Sequence, residues 1–316
     1  MRLATSELFV GAHGGAALAP MMRLVDAWRP DVILRETAEV SSLLAAEAFR
    51  VPVVRVGIAL ATPYEDWWLD MAADALDALR AQAGVPADPG ARRAALTPVF
   101  TQVPALLDEQ QGHPPVAVRR YRVVDEGPVQ PLPGWWEDAD APLVPISFGT
   151  AVPTDGHYPG LYRAAIDAVA ELPARVLVTV GRHADPAQLG PLPANVHVER
   201  WVAQARVMPH AAALVAHGGA GTTLAALAAG VPMALLPLSA DQPLNARHIA
   251  GLGAGLALEG GVADAGRLGA LVSALLEHDR YRAAARRVAE AIGALPPVTD
   301  AVADLEALVG RAARAA

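Results

Sequence analysis

The run His217-Gly218-Gly219-Ala220-Gly221-Thr222-Thr223 is the stretch of this 316-residue chain whose residue types and spacing can do chemistry. It follows an apolar segment, residues 211–216, that reads as a short buried strand, and it precedes a helix-like run, residues 224–229. Strand, glycine turn and helix together outline an anion site. Glycines let the main chain approach a phosphate, the first N–H groups of a helix have no partner within it, and the helix dipole favours negative charge at that end. Thr222 and Thr223 can cap the helix and offer hydroxyl donors to the same anion. With histidine taken as neutral, no residue from 207 to 240 carries a charge. A diphosphate here would be held by dipoles and hydroxyls. Glycine turns alone are as often plain tight turns, so the pieces that flank this one decide its weight, beginning with the acid-amide pair Asp241-Gln242.

Those residues must be positioned by a sheet. Apolar runs at 144–148, 175–180, 196–198, 211–216, 233–236 and 255–258 read as strands, with helical patterns at about 160–172, 264–277, 279–294 and 299–315. Alternation at this spacing predicts a doubly wound parallel sheet, whose ligands bind outside the carboxyl ends of the strands. The first strand ends in Ser147-Phe148-Gly149-Thr150, a second small-residue turn. Arg182 and His183, after the next strand, read as a solvated loop. Earlier in the chain, residues 31–35 form a strand candidate ended by Glu36, residues 40–49 a helix and 51–58 another strand, which is a strand-helix-strand unit of a parallel sheet. Residues 21–28 read as the end of a helix stopped before Pro30. Trp67, Trp68, Met71, Ala75 and Leu79 fall on one helical spacing within 64–83, as core or cleft wall. Residues 84–95 are a Pro/Gly/Arg connection, and 111–133 are proline-rich without sustained period, which puts an interdomain boundary near 125–141.

Composition bounds the reading. At this length two domains are expected, and 53% hydrophobic residues suffice for two cores. A net charge of −8 with pI near 5.6 argues against a broad nucleic-acid footprint. The absence of cysteine excludes disulfides, Cys–zinc sites and thiol catalysis. The first residues lack the basic stretch and long apolar core of a secretory signal, so the cytoplasm is the expected compartment. The uncharged span around the glycine turn is long enough for a membrane helix, but its glycines, Pro232, Pro237 and paired threonines break it up. No membrane or nucleic-acid partner is expected.

The spaced pieces Trp201-Val202-Ala203-Gln204, HGGAGTT, Gly230-Val231-Pro232, and Asp241-Gln242-Pro243 with Asn245 resemble the donor-binding signature of the GT-B glycosyltransferases of the UDP-glycosyltransferase superfamily. Within it the chain is most similar to bacterial enzymes that decorate natural products with sugars. The resemblance covers essentially all of residues 142–316. It implies that Trp201 stacks on the nucleotide base, that His217, Gly218, Gly219, Gly221 and Thr222 hold the diphosphate, and that Asp241 and Gln242 bind sugar hydroxyls. Val202 and Gln204 belong to the same signature, and Ser147 and Thr150 match the family's first turn in this domain, which approaches the phosphates. The physics fits: an aromatic face suits a base, and a carboxylate beside an amide suits a polyol. Each residue also has a plainer reading, Trp201 as core, His217 as a buried capping group and Asp241 as a helix cap. The plant branch carries a Trp and an Asn where this chain has Ala220 and Gly221, so those side-chain contacts do not carry over.

Trp28-Arg29-Pro30-Asp31, the strand into Arg35-Glu36-Thr37, and Ala45-Ala46-Glu47 to Val51-Pro52 are similar to the middle of the family's acceptor domain. The family's opening strand and glycine loop, with the histidine that serves as general base, are not matched before them. The resemblance then implies an acceptor domain lacking its first part. Glu36, at a strand's carboxyl end, is close to where the carboxylate that orients the base is expected, with Glu39 its neighbour. His13, in Gly11-Ala12-His13-Gly14-Gly15, superficially matches the missing loop and is the base candidate, although it lies too few residues before the Asp31 strand.

The expected architecture is therefore α/β, GT-B, with two Rossmann-like domains facing a cleft: residues 1–137, a partial acceptor-binding domain with linker, and 138–316, the nucleotide-sugar donor domain. The expected reaction is metal-independent, inverting transfer from a dTDP or UDP sugar to a hydroxyl of a small natural-product acceptor, with no cofactor beyond the sugar nucleotide. A non-catalytic nucleotide-sugar-binding accessory protein of the same fold is the alternative, and a sugar-nucleotide epimerase of related fold a third. Association with a second copy is plausible, because a shortened sheet exposes an edge.

Overall fold

The computed structural model describes residues 4–60, 62–108, 117–123, 140–150 and 156–315. The chain forms two compact units, Met1–Val124 with Ala294–Ala316, and Asp125–Gly293.

The first unit holds a four-stranded parallel sheet of β1 (Ile33–Glu36), β2 (Val53–Val56), β3 (Val99–Thr101) and β4 (Val118–Arg120), in that spatial order. The predicted strand-helix-strand unit is β1, helix Ser41–Phe49 and β2, paired in parallel from Ile33 with Val53 to Glu36 with Val56. β3 and β4 were not expected. β3 is three residues long, and β4 lies inside the proline-rich stretch, so neither is long enough to show a period of two.

Residues that the sequence left unassigned are helical. Ala4–Gly14 is π-helical and runs into the α-helix Gly15–Trp28, with Pro20 inside it. Val10 and Leu18 pack into one core with Leu43, Leu44, Trp68, Leu69, Leu76 and Leu79. Gly14 is where this helix comes closest to its neighbours: a Cβ there would lie 2.8 Å from Val40 Cγ2. Among the described residues, the helical span Thr5–Trp28 is long and apolar enough to cross a membrane by length and composition. Within the unit it contributes Val10, Leu18 and Val25 as buried side chains. Trp68 is core, whereas Trp67 is exposed.

The closing helix corrects one expected boundary. Residues 294–316 belong with the first unit and not with the second, to which the range 138–316 assigned them. Arg122 Nε donates to the Leu295 carbonyl at 3.0 Å and Tyr121 Oη to Asp304 Oδ2 at 2.7 Å. Leu305 and Leu308 of helix Ala301–Ala315 pack on Val54, Phe100 and Tyr121. An amphipathic helix records that one face is buried, and does not record against which sheet.

The second unit is a six-stranded parallel sheet of β5 (Leu143–Ser147), β6 (Arg175–Thr179), β7 (Val196–Glu199), β8 (Leu214–Ala216), β9 (Met233–Leu235) and β10 (Gly255–Ala257). All six predicted strands are present. Their spatial order is β10-β9-β8-β5-β6-β7, the doubly wound order, with its reversal between β5 and β8. Every residue of β5, β8 and β9 is buried, as parallel strands covered on both faces require. Val144, Ile146, Val176, Val178, Val215 and Ala234 pack with Leu161, Tyr162 and Ile166 of helix Gly160–Val169 and with Leu268, Val272 and Leu275 of helix Leu268–Glu277.

Candidate functional site

The strand order decides where a ligand can sit. In an open parallel sheet, the loops leaving two adjacent strands diverge to opposite faces only where the order reverses, which leaves a crevice at their carboxyl ends. Here that crevice is between the turn after β5, Ser147 to Thr150, and the turn after β8, His217 to Gly219. A pocket of about 520 Å³ opens there, lined by Ser147, Gly149, Thr150, Thr179, Gly181, Arg200, Trp201, Val202, Gln204, His217, Gly219, Ala220, Gly221 and Thr222.

The floor is the start of helix Ala220–Ala228. Thr223 N bonds the Gly219 carbonyl, so the N–H groups of Ala220, Gly221 and Thr222 precede the first helical bond. Gly219 occupies the N-cap position and no side chain caps the helix. The expected hydroxyl caps are absent: Thr222 and Thr223 lie inside the first turn, and the buried Thr223 Oγ1 has no partner. The first N–H groups and the helix dipole thus face the pocket without a protein acceptor satisfying them, which is the arrangement an anion needs. Gln204 Nε2 donates at 3.3 Å to both Ser147 Oγ and Thr222 Oγ1, tying the two turns together across the pocket.

His217 is about nine-tenths buried and its ring is held between two glycines. A Cβ on Gly149 would lie 2.9 Å from Cε1 and Nε2, and one on Gly219 2.5 Å from Nε2. Gly149 also has φ of +81°, a conformation that side chains rarely adopt. Burial pushes the His217 imidazole below its ordinary pKa, opposed by the Asp241 carboxylate and the Ser147 main chain. The ring is therefore neutral near pH 7, and its buried Nδ1 lacks a hydrogen-bond partner. A neutral imidazole can still donate one hydrogen bond to a phosphate oxygen without the cost of burying a charge.

Asp241, Gln242 and Gly218 do not line the pocket. Gln242 Oε1 accepts from Leu238 N at 2.8 Å and Ser239 N at 3.1 Å, fastening the loop after β9. Asp241 stands at the N-cap position of helix Gln242–Gly251, and its Oδ2 accepts from Asn245 Nδ2 at 2.8 Å. The same Nδ2 donates to the Gly218 carbonyl at 2.9 Å. The chain Asp241, Asn245, Gly218 thus holds the acid-amide pair against the glycine turn. Asn245, buried and placed four residues after Asp241, supplies this link.

Three features escaped the sequence. Arg200 lines the pocket, so a cation stands on a wall expected to hold dipoles and hydroxyls alone. Arg200 directly precedes Trp201, and that adjacency was the available signal. Thr179 and Gly181, at the end of β6, line it too. Arg182, read as a solvated loop residue, has its guanidinium 4.2 Å from the Trp201 ring centroid. Trp201 itself is half exposed and not core. Among the described residues, no three His, Asp or Glu side chains converge as metal ligands would.

The acceptor-side candidates belong to the first unit. Glu36 ends β1 as expected, and its Oε2 accepts from Ala38 N at 2.7 Å. Glu39 accepts from Ser41 N at 3.0 Å and Ser42 N at 3.1 Å, and so satisfies the start of helix Ser41–Phe49. His13 lies in the helical segment Ala4–Gly14 and not in a glycine loop at a strand's end. Its ring makes an edge contact with Phe9, centroids 6.1 Å apart.

Two parallel sheets with helices, one carrying this pocket at its switch point, have the GT-B architecture, and comparison with known proteins agrees. Residues 163–308 match the family model described as erythromycin biosynthesis protein CIII-like, C-terminal domain. The elloramycin glycosyltransferase ElmGT of Streptomyces olivaceus is 34% identical over 94% of this chain and 73% of its own length. The glycosyltransferase SnogD of Streptomyces nogalater superposes with a TM-score of 0.76 at 28% identity, over 96% of this chain and 80% of its own. Spinosyn rhamnosyltransferase SpnG, solved with thymidine diphosphate, gives 0.79 at 25% identity over 94% and 78%. The chain belongs to the bacterial natural-product glycosyltransferases of the UDP-glycosyltransferase superfamily, enzymes of sugar transfer.

Proposed function

We propose that the protein moves a sugar from a dTDP or UDP sugar to a hydroxyl of a small natural-product acceptor, with inversion and without a metal ion. One observation carries the reading: the pocket at the β5/β8 switch point joins a helix N-terminus free of caps, the neutral His217 and the exposed face of Trp201. A diphosphate suits the first two and a base the third. In this reading a base removes the acceptor hydroxyl's proton as its oxygen attacks the anomeric carbon. The bond to the diphosphate breaks on the opposite face, and the helix N–H groups and Arg200 meet the charge that develops on the leaving group. In this reading the sugar extends beyond the pocket, whose lining lacks Asp241 and Gln242, to reach their side chains, Gln242 offering its amide nitrogen, since its oxygen is engaged. Thymidine diphosphate bound to SpnG makes dTDP the nucleotide to try first.

A second reading, a non-catalytic nucleotide-sugar-binding accessory protein, is favoured by the helical setting of His13. The two part in one experiment. Calorimetric titration with dTDP and UDP is followed by incubation with a dTDP-sugar and a hydroxylated aromatic acceptor, the product's anomeric configuration being read by NMR. Saturable binding with an inverted product is the expected outcome. Binding without turnover selects the accessory reading, and no binding to the parent chain overturns both.

A further inference from the structure

The placement of the Arg182–Trp201 pair is a consequence of strand register. β6 and β7 run in parallel with Thr179 opposite Glu199, and Val180 N bonds the Glu199 carbonyl at 3.1 Å. The two chains therefore leave the sheet side by side, so that Arg182 and Trp201 emerge at the same level from neighbouring strands. The loop that carries Arg182 is closed by the Ala184 N to Gly181 O bond, and it is anchored by Tyr158 Oη donating to the Asp185 carbonyl. The guanidinium lies 4.2 Å from the ring centroid, well inside the range of a cation–π contact. Trp201 lines the pocket. The guanidinium covers one face of the ring, and Arg182 is not among the residues that line the pocket.

We propose that Arg182 is a positioning residue that braces Trp201 from behind and holds its other face ready for a nucleotide base. The proposal rests on the nucleotide-sugar reading of the pocket. A tryptophan that is 50% exposed is otherwise free to change rotamer, and a base that stacks on it must first order it. With the guanidinium on one face, that ordering is complete before the ligand arrives. The bound state is a three-layer stack of guanidinium, indole and base.

The test compares nucleotide with bare anion. Calorimetry of the parent chain, Arg182→Ala and Arg182→Lys is run with dTDP and, separately, with inorganic pyrophosphate. Arg182→Ala is expected to weaken dTDP binding about two- to five-fold, the range of an exposed cation–π contact, and to leave pyrophosphate binding unchanged. Arg182→Lys keeps the charge without the planar stack and falls between. Both side chains are exposed, so the melting temperature should not move. An unchanged or tightened dTDP affinity in Arg182→Ala overturns the brace, as does an equal loss for pyrophosphate, which would make Arg182 a phosphate contact. If the parent chain binds pyrophosphate but gains nothing from the thymidine, the base-platform reading of Trp201 fails instead.

Discussion

The two units use their polar groups in opposite ways. In the first, charged side chains are spent on one another and on the main chain. The fully buried Arg80 makes a two-pronged bond to Glu47, with Nη2 at 2.6 Å from Oε1, and Asp77 and Asp88 lie at 3.7 and 3.5 Å. Asp88 in turn accepts from Arg93 N at 2.9 Å, Glu39 starts a helix and Arg120 pairs with Asp108 at 2.6 Å. In the second unit, the helix start at Ala220 and the imidazole of His217 border open space, beside the hydroxyls of Ser147 and Thr222 that Gln204 bridges. Satisfied polar groups fix a fold. The nucleotide-sugar reading assigns the groups left open at the sheet's switch point to a ligand.

The largest way to break this contrast is to remove the centre of the first unit's charge cluster. Arg80→Leu would leave Glu47, Asp77 and Asp88 together and partly buried without their cation. A loss of about 3–5 kcal/mol is expected, read as a lower urea midpoint. If stability is unchanged, those pairs do not hold the unit together.

Gly219→Ala tests the second unit next. Its Cβ would meet the His217 ring at 2.5 Å, and both the ring and the helix start must shift. On the nucleotide-sugar reading dTDP affinity should fall roughly 10- to 100-fold, which is about 1.4–2.8 kcal/mol, while the fold persists. Trp201→Ala should cost a comparable amount: an aromatic platform under a base is worth about 1–3 kcal/mol. Calorimetry checks both, and a full-affinity Trp201→Ala would remove the base from this wall.

The smallest effect concerns pH. Burial depresses the folded-state pKa of His217, so the unfolded chain takes up that proton first as pH falls. The group makes no demand above the unfolded value of about 6.5, and the folded state loses stability as pH drops below it. Urea midpoints measured from pH 8 to pH 5 should slope downward less steeply for His217→Asn than for the parent. Identical slopes would mean that the ring is wetter than its surroundings suggest.

Much of the second unit was legible because its parallel strands are short apolar runs, three of them, β5, β8 and β9, buried throughout. All six stand within a few residues of where the runs lie. The three-residue strands β3 and β4 carry no such run, and the segment 4–14 mixes glycines and polar residues in a helix whose burial comes from Leu76 and Leu79, far along the chain. The helix caps were misjudged at Thr222 and Thr223, since a hydroxyl near a helix start caps it only when its residue adopts the extended N-cap conformation, which here belongs to Gly219 (φ −64°, ψ 141°).

By itself the sequence determined a doubly wound sheet in which a glycine turn joins strand to helix, with Trp201 before it and Asp241-Gln242 after it. Those are local facts, set by main-chain conformation and by hydrophobic runs. Only the tertiary structure decided that His217 sits between Gly149 and Gly219, that Asn245 joins Asp241 to Gly218, that the Arg182 guanidinium lies over the Trp201 ring, and that the last helix returns to the first unit. The partners in these contacts are distant in sequence or lie on neighbouring strands, and strand order and register bring them together. No period or spacing in the chain encodes that order.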